Sequence, residues 1–192
     1  RELNRGVFSL DCFKGNCPRS VAKPCWLTGQ RGRNRPFGVD LVGYLLSELS
    51  LGEAARLLLG ALDATEIPTG LVNVLTDGRI ADPALRERLK SSDRHSVALS
   101  VFALAKLESF AQRTCRGQTN IAYPYWELPK VPGSWKRRFD GFDQYWAPTT
   151  FIGDMLSAHQ NKPVHLVPQP VHLPEEPPRP QVFSGPLKFY TF

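Results

Sequence analysis

Short apolar runs alternate with amphipathic stretches between residues 39 and 167, and this alternation limits the possible folds more than any other feature. The apolar runs have the length of buried strands, and they begin at Val39, Leu71, Val97, Asn120, Gln144 and Val164. Segments with apolar residues at helical spacing separate most of these runs. Strands that alternate with helices predict a mostly parallel sheet covered on both faces, which is a doubly wound α/β domain.

The helix with the clearest start signal follows the first strand. Ser50 and Glu53 have the spacing of a capping box, in which the serine hydroxyl and the glutamate carboxylate each accept a backbone N–H. The apolar residues that follow share one helical face: Ala54, Ala55, Leu58, Ala61 and Leu62. A second helix is predicted from Pro83, because proline is tolerated in a first helical turn. Further helices are predicted over about 103–113 and after Thr149.

The composition changes at both ends of this alternating region. Residues 1–38 are rich in Arg, Gly, Pro, Cys and Asn without a sustained apolar period, so we expect an irregular leader. Residues 169–186 are crowded with proline, which predicts a stiff linker. Strand character resumes over 187–192. We therefore expect one domain over 39–168, followed by the first strand of a second domain that is otherwise missing.

Composition and charge exclude several classes of protein. The hydrophobic fraction of 42% is sufficient for a core. The sequence contains no run of about eighteen apolar residues, so no membrane-spanning helix is predicted. The net charge is +6, which suits a phosphorylated ligand or an anionic membrane surface, or is simply solvated surface charge. We expect no nucleic-acid partner, because no basic stripe is interleaved with aromatic residues. The basic clusters are Arg31, Arg33 and Arg35, and Lys136, Arg137 and Arg138.

Cysteine and histidine give no pattern of a metal or cofactor site. Three of the four cysteines lie in the leader, but their spacing is not that of a zinc site, and reduced thiols in a cytoplasmic protein are expected. The sequence lacks the Gly-x-Gly-x-x-Gly fingerprint of dinucleotide binding. We therefore expect no metal and no cofactor. The histidines stand alone, which favours structural or exposed roles: His95, His159, His165 and His172.

Three segments, in order, resemble the group 1 glycosyltransferases of the GT-B fold. The first covers residues 38–56 and includes GVDLVGY and LSLGEAAR. The second, over 120–128, reads NIAYPYWEL and is similar to the family's Asn-Ile-Gly-Tyr-Trp-x-Trp-Glu-Leu. The third, over 142–151, reads FDQYWAPTTF and is similar to Val-Asp-Glu-x-Trp-x-Pro-Ser-x-Phe. The resemblance spans roughly residues 38 to 172, and it departs from the family pattern at Ala122 and Pro124.

This resemblance implies the Rossmann-like N-terminal half of a GT-B enzyme. Such an enzyme transfers a sugar from a nucleotide-sugar donor to a glycan or other acceptor, often in polysaccharide biosynthesis. The family binds the donor mainly through its second domain, so the fragment alone is expected to be inactive. The basic clusters and the family together imply a place in the cytoplasm, with peripheral contact at the inner face of the membrane. The alternative is a non-catalytic Rossmann-like module that binds a sugar or another protein.

Two loops carry the candidate substrate-binding residues. Gly52 and Glu53 lie in the first turn of the first predicted helix, where free N–H groups suit an anion and glycine permits close backbone approach. Tyr125, Trp126 and Glu127 follow a predicted strand, where parallel sheets bind ligands. Aromatic faces stack on sugar rings, and a carboxylate accepts from hydroxyls.

Both loops also have a structural interpretation. Glu53 can simply cap the helix, Trp126 can pack its loop onto the sheet, and Glu127 can pair with a nearby basic residue. The sequence identifies no catalytic residue, and it leaves the donor sugar and the acceptor open.

Overall fold

The computed structural model describes residues 7–8, 35–74, 82–90, 94–112 and 118–172. The strands there are β1 (Val7–Phe8), β2 (Val39–Gly43), β3 (Thr69–Val74), β4 (Val97–Ala103), β5 (Thr119–Tyr125), β6 (Gln144–Ala147) and β7 (Val164–Leu166). They form one sheet in the order β1-β3-β2-β4-β5-β6-β7, and every pairing is parallel.

Helices cover both faces of this sheet. They are α1 (Ser50–Asp63), α2 (Pro83–Lys90), α3 (Leu107–Ala111) and α4 (Thr150–His159), with a 3-10 turn at Leu104–Lys106 and a 3-10 segment at Gly133–Gly141. The apolar residues of α1 and α2 pack in one core cluster, and those of α3, α4 and the 3-10 segment pack in another. The predicted doubly wound, Rossmann-like α/β fold is therefore confirmed.

The central strands are buried on both faces of the sheet. Their sequences are therefore apolar runs, which is why these strands could be predicted. In β2, Leu41 packs in the cluster that contains α1, and Val42 packs in the cluster on the opposite face. In β4, Val101 and Phe102 divide in the same way, and both are 0% exposed. Two-sided burial thus excludes polar residues from most positions of these strands.

The strand order reverses beside β2. From β2 the chain passes through α1 to β3 on one side, and β4 and β5 then lie on the other side. In open parallel sheets, ligands bind in the crevice outside the carboxyl ends of the strands at such a reversal. The topology therefore indicates a ligand crevice at the loops that follow β2, β4 and β5.

The capping box predicted at the start of α1 is wrong. Leu49 is the N-cap residue, with extended backbone and no side-chain cap, so Ser50 is already the first helical residue. Glu53 N donates to Leu49 O at 3.0 Å, and the Glu53 carboxylate bonds to Arg56 instead. By contrast, Thr149 does cap α4, where its hydroxyl oxygen accepts from Ile152 N.

Other differences from the sequence prediction are local. Val7–Phe8 falls within the expected irregular leader, yet it pairs with the end of β3. The helix predicted over about 103–113 is a 3-10 turn followed by the short α3, and the 3-10 segment Gly133–Gly141 was not predicted. The rest of the leader up to residue 34, the linker from residue 173, residues 187–192 and all four cysteines lie outside the described residues.

In the part of the chain that the structure describes, no helix combines the length and hydropathy needed to cross a membrane.

Candidate functional site

The loops that follow β2, β5 and β6 all lie at one edge of the sheet, because parallel strands end on the same side. We call this the carboxyl edge. It holds both predicted loops: Gly52 and Glu53 stand in the first turn of α1, and Tyr125, Trp126 and Glu127 end β5 and begin the next loop. Since β4 lies between β2 and β5, the two loops are separated by about 10 Å, which is two strand spacings.

The loop between β2 and α1, residues 44–49, folds inward before the helix begins. Leu45 and Ser47 are 0% exposed and Leu46 is 6% exposed. Ser47 N donates to Tyr44 O at 3.0 Å, which closes a tight turn. We call this segment the β2–α1 loop. Its buried backbone needs hydrogen-bond partners, and two side chains from outside the loop supply them.

The first of these side chains is Arg56. Its Nη1 donates to Leu45 O at 3.0 Å and to Ser47 O at 3.1 Å. Its Nε and Nη2 donate to Glu53 Oε2 at 3.1 and 2.8 Å. The guanidinium therefore ties the β2–α1 loop to the helix, and the Glu53 carboxylate holds the guanidinium in place.

The second is Asn73, at the end of β3 and opposite Gly43 in register. Asn73 is 1% exposed, and its Oδ1 accepts from Leu46 N at 3.0 Å. Its Nδ2 is buried and has no hydrogen-bond partner among the described residues. An unsatisfied buried donor costs about 1–3 kcal/mol. The hydrogen bond from Leu46 N to Oδ1 therefore compensates in part for the burial of the Asn73 side chain.

Gly52 permits a close approach, but the approach is to the chain itself. A Cβ on Gly52 would lie 2.4 Å from Ser47 O and 2.7 Å from Tyr44 O, and both atoms are backbone. The close approach at Gly52 is therefore made by the β2–α1 loop, and a ligand contact at Gly52 stays a prediction. Glu53 has 59% of its side chain exposed and remains accessible beside it.

Trp126 packs its loop onto the fold. Its Nε1 donates to Lys130 O at 3.1 Å, and its ring lies 5.6 Å from that of Trp135 in the 3-10 segment. Arg138 sits 5.4 Å from the Trp135 ring centroid and pairs with Glu108 at 3.3 Å. These contacts favour the structural interpretation of Trp126 over sugar stacking.

Tyr125 is hydrogen-bonded within the described residues, whereas Glu127 is not. The Tyr125 hydroxyl donates to Gln169 Oε1 at 2.5 Å, and burial raises the pKa of Tyr125 to about 12, so it is a neutral donor at ordinary pH. Glu127 is exposed, and its carboxylate has no hydrogen bond or ion pair with another described residue. The alternative that Glu127 pairs with a basic neighbour is therefore not seen in the described residues.

The second basic cluster is divided by the fold. Arg138 is engaged by Trp135 and Glu108, whereas Lys136 and Arg137 are exposed. Most of the first cluster lies outside the described residues. Contact with an anionic membrane surface stays a prediction.

A polar cluster that was not predicted lies at the amino edge of the sheet, where the parallel strands begin. Asp40 is 1% exposed; its Oδ1 accepts from His95 N at 3.1 Å and lies 3.0 Å from His95 Nδ1. Its Oδ2 accepts from Gln118 Nε2 at 2.8 Å, and Arg94 Nη1 is 3.8 Å away. The cluster joins the starts of β2, β4 and β5. An aspartate inside an apolar strand run was the signal for it, because a buried carboxylate requires partners.

The described residues contain no group of three or more His, Cys, Asp or Glu side chains placed to hold a metal ion.

Comparison of the chain with protein-family models, with curated proteins and with solved structures finds no significant match.

Proposed function

We propose that this chain is the acceptor-side, Rossmann-like half of a glycosyltransferase that uses a nucleotide-sugar donor. One observation carries the proposal: the three segments that resemble the group 1 family all reach the carboxyl edge. The first comprises β2, its loop and the start of α1; the second is β5 with its loop; the third is β6 with the start of α4. Motifs that are separated in sequence thus contribute to one edge, where parallel sheets bind ligands.

The chemistry of this edge suits hydroxyl groups. Glu48 and Glu127 are exposed along it, and carboxylates accept hydrogen bonds from hydroxyls but repel phosphate. The edge from β2 to β6 spans about 15 Å, or three strand spacings. These features support binding of a glycan acceptor here, with the donor diphosphate bound by a second domain.

Exposed apolar side chains at the same edge support the proposal that a second surface packs against it. Leu49 is 41%, Leu128 56% and Phe151 45% exposed, and they lie in the segments that follow β2, β5 and β6. Apolar groups gathered at one edge are typical of a surface that is covered in the working state. In the proposal, the second domain closes over this edge with the acceptor between the two.

Within this proposal Glu127 orients the acceptor. Its carboxylate accepts from an acceptor hydroxyl and fixes the direction of attack on the donor. The departing diphosphate takes the acceptor proton, so no strong protein base is required. Arg56 and Asn73 do not touch substrate; they hold the β2–α1 loop that forms the neighbouring wall.

A nuclear magnetic resonance titration of the 192-residue chain tests the proposal. Oligosaccharides should shift the amide resonances of residues 44–53 and 125–128, and sugar nucleotides should bind weakly or not at all. Glu127→Gln should weaken the oligosaccharide shifts, and the exposed Glu66, which follows α1 at the other end of that helix, provides the matched control Glu66→Gln. Shifts confined to the amino edge, or no shifts with any glycan, would contradict the proposal.

A transfer assay separates this function from that of a binding module. The 192-residue chain alone should show no turnover with any nucleotide sugar, because the donor contacts are assigned to a second domain. Robust transfer by the chain alone would refute that assignment. If the complete gene product binds glycans but transfers nothing, the chain is a non-catalytic module.

A further inference from the structure

Arg56 connects the β2–α1 loop with the first turns of α1. Only 22% of its side chain is exposed. It donates four hydrogen bonds, two to backbone carbonyls of the loop and two to one oxygen of Glu53. No residue type other than arginine offers this arrangement, because its planar guanidinium directs donors in fixed directions.

Arg56 supplies a hydrogen-bond donor to two carbonyl groups of the loop. Leu45 and Ser47 are fully buried, and a buried carbonyl that loses its donor is costly. Asn73 supplies the complementary contact to Leu46 N. The loop is therefore held from the helix on one side and from β3 on the other.

Glu53 is placed to serve Arg56. The two bonds that the guanidinium donates to Glu53 both end on Oε2, one turn earlier on the same helix. A charge-assisted pair with two donors fixes the rotation of the guanidinium. Without Glu53, the Arg56 side chain gains rotational freedom, and its hydrogen bonds to the loop weaken.

We infer that Arg56 is a positioning residue that sets the conformation of the β2–α1 loop, and that Glu53 acts on the ligand site through Arg56 without contacting the ligand. The role in ligand binding rests on the proposed function, whereas the role in the loop does not. This assignment replaces Glu53 as a direct substrate-binding residue.

Hydrogen exchange of the free chain tests the role in the loop. Arg56→Gln should accelerate exchange of the Leu46 and Ser47 amides at least tenfold, and Arg56→Lys should restore part of the protection. The matched control is Arg88→Gln, which removes a two-bond ion pair with Asp63 at the far end of α1 and should leave the loop amides unchanged. Unchanged exchange in Arg56→Gln overturns the inference.

A double-mutant cycle on glycan affinity tests the role of Glu53. Glu53→Ala should weaken binding in the wild-type background, and it should have no further effect in the Arg56→Gln background. An equal loss in both backgrounds means that Glu53 contacts the ligand directly, and the inference about Glu53 is then wrong. If no glycan binds the wild-type chain, the proposed function fails, and the exchange experiment still decides the role of Arg56.

Discussion

Replacing Gly52 by alanine tests how closely the β2–α1 loop packs on α1. Gly52→Ala places a methyl carbon 2.4 Å from Ser47 O and 2.7 Å from Tyr44 O. Non-bonded heavy atoms are comfortable at about 3.5 Å or more, so the loop backbone must retreat by about 1 Å. That movement also disturbs the bond from Arg56 to Ser47 O.

Gly60 on the same helix provides the matched control. Nothing lies within 4 Å of a Cβ at Gly60, so Gly60→Ala should raise the free energy of unfolding by about 0.5–1 kcal/mol, the ordinary gain for alanine in a helix. Gly52→Ala has the same intrinsic gain, but overpacking against backbone costs about 1–3 kcal/mol. The difference between the two variants therefore isolates the overlap and should be about 1–3 kcal/mol.

Urea unfolding followed by tryptophan fluorescence measures both variants under the same conditions. The transition of Gly52→Ala should come at a lower urea concentration than that of Gly60→Ala, and their melting temperatures should differ by about 2–4 °C per kcal/mol. Equal stabilities, within about 0.5 kcal/mol, would refute the close packing of the loop on the helix.

Three further predictions concern other parts of the molecule. In an active two-domain enzyme, Glu127→Gln should lower kcat/KM at least tenfold, about 1.4 kcal/mol, with an unchanged melting temperature; earlier unfolding with full activity of the folded fraction would make Glu127 structural. Asp40→Leu should destabilise the fold by about 2–4 kcal/mol in urea unfolding, because the buried His95 N–H and the half-buried Gln118 amide lose their acceptor. Burial raises the pKa of Tyr123, and burial raises the pKa of Tyr125 to about 12, so the unfolded chain releases these protons first. Stability should be fully present below about pH 10 and fall above it by up to about 1.4 kcal/mol per pH unit for each tyrosine; urea midpoints that stay constant between about pH 9 and about pH 11 would contradict this.

The strands were predictable because burial on both faces requires a nearly continuous run of apolar residues. The runs at Val39–Gly43 and Val97–Ala103 are mostly apolar, and both strands begin at the predicted residue. The start of α2 at Pro83 was equally readable, because proline in a first turn has a local cause. Elements whose signals lie within their own segment can therefore be predicted from a single sequence.

The start of α1 was misjudged for the opposite reason. The spacing of Ser50 and Glu53 fits a capping box, but Glu53 has a competing partner in Arg56, and Arg56 is fixed by carbonyls of the preceding loop. Likewise, β1 is two residues long and depends on pairing with a strand far along the chain. Contacts of this kind have no local periodicity.

The shared edge of the two candidate loops was predictable from the sequence, whereas the contacts that their residues make were not. Parallel strands guarantee a common carboxyl edge, so the neighbourhood of Glu53 and Glu127 followed from the strand pattern. The parts played by Asn73 and Asp40 depended on sheet register, which the sequence does not display. The packing of Trp126 on Trp135 required the unpredicted 3-10 segment.

The pairing of β1 with β3 has a consequence for truncated forms of this protein. Within the described residues, β1 is the strand that covers the outer side of β3, and it reaches only Asn73 and Val74. The β3 sequence TGLVNV has no charged residue and no proline, which makes its bare backbone a template for a second molecule. A chain shortened to begin at residue 35 should thus form edge-to-edge oligomers, which grow with protein concentration.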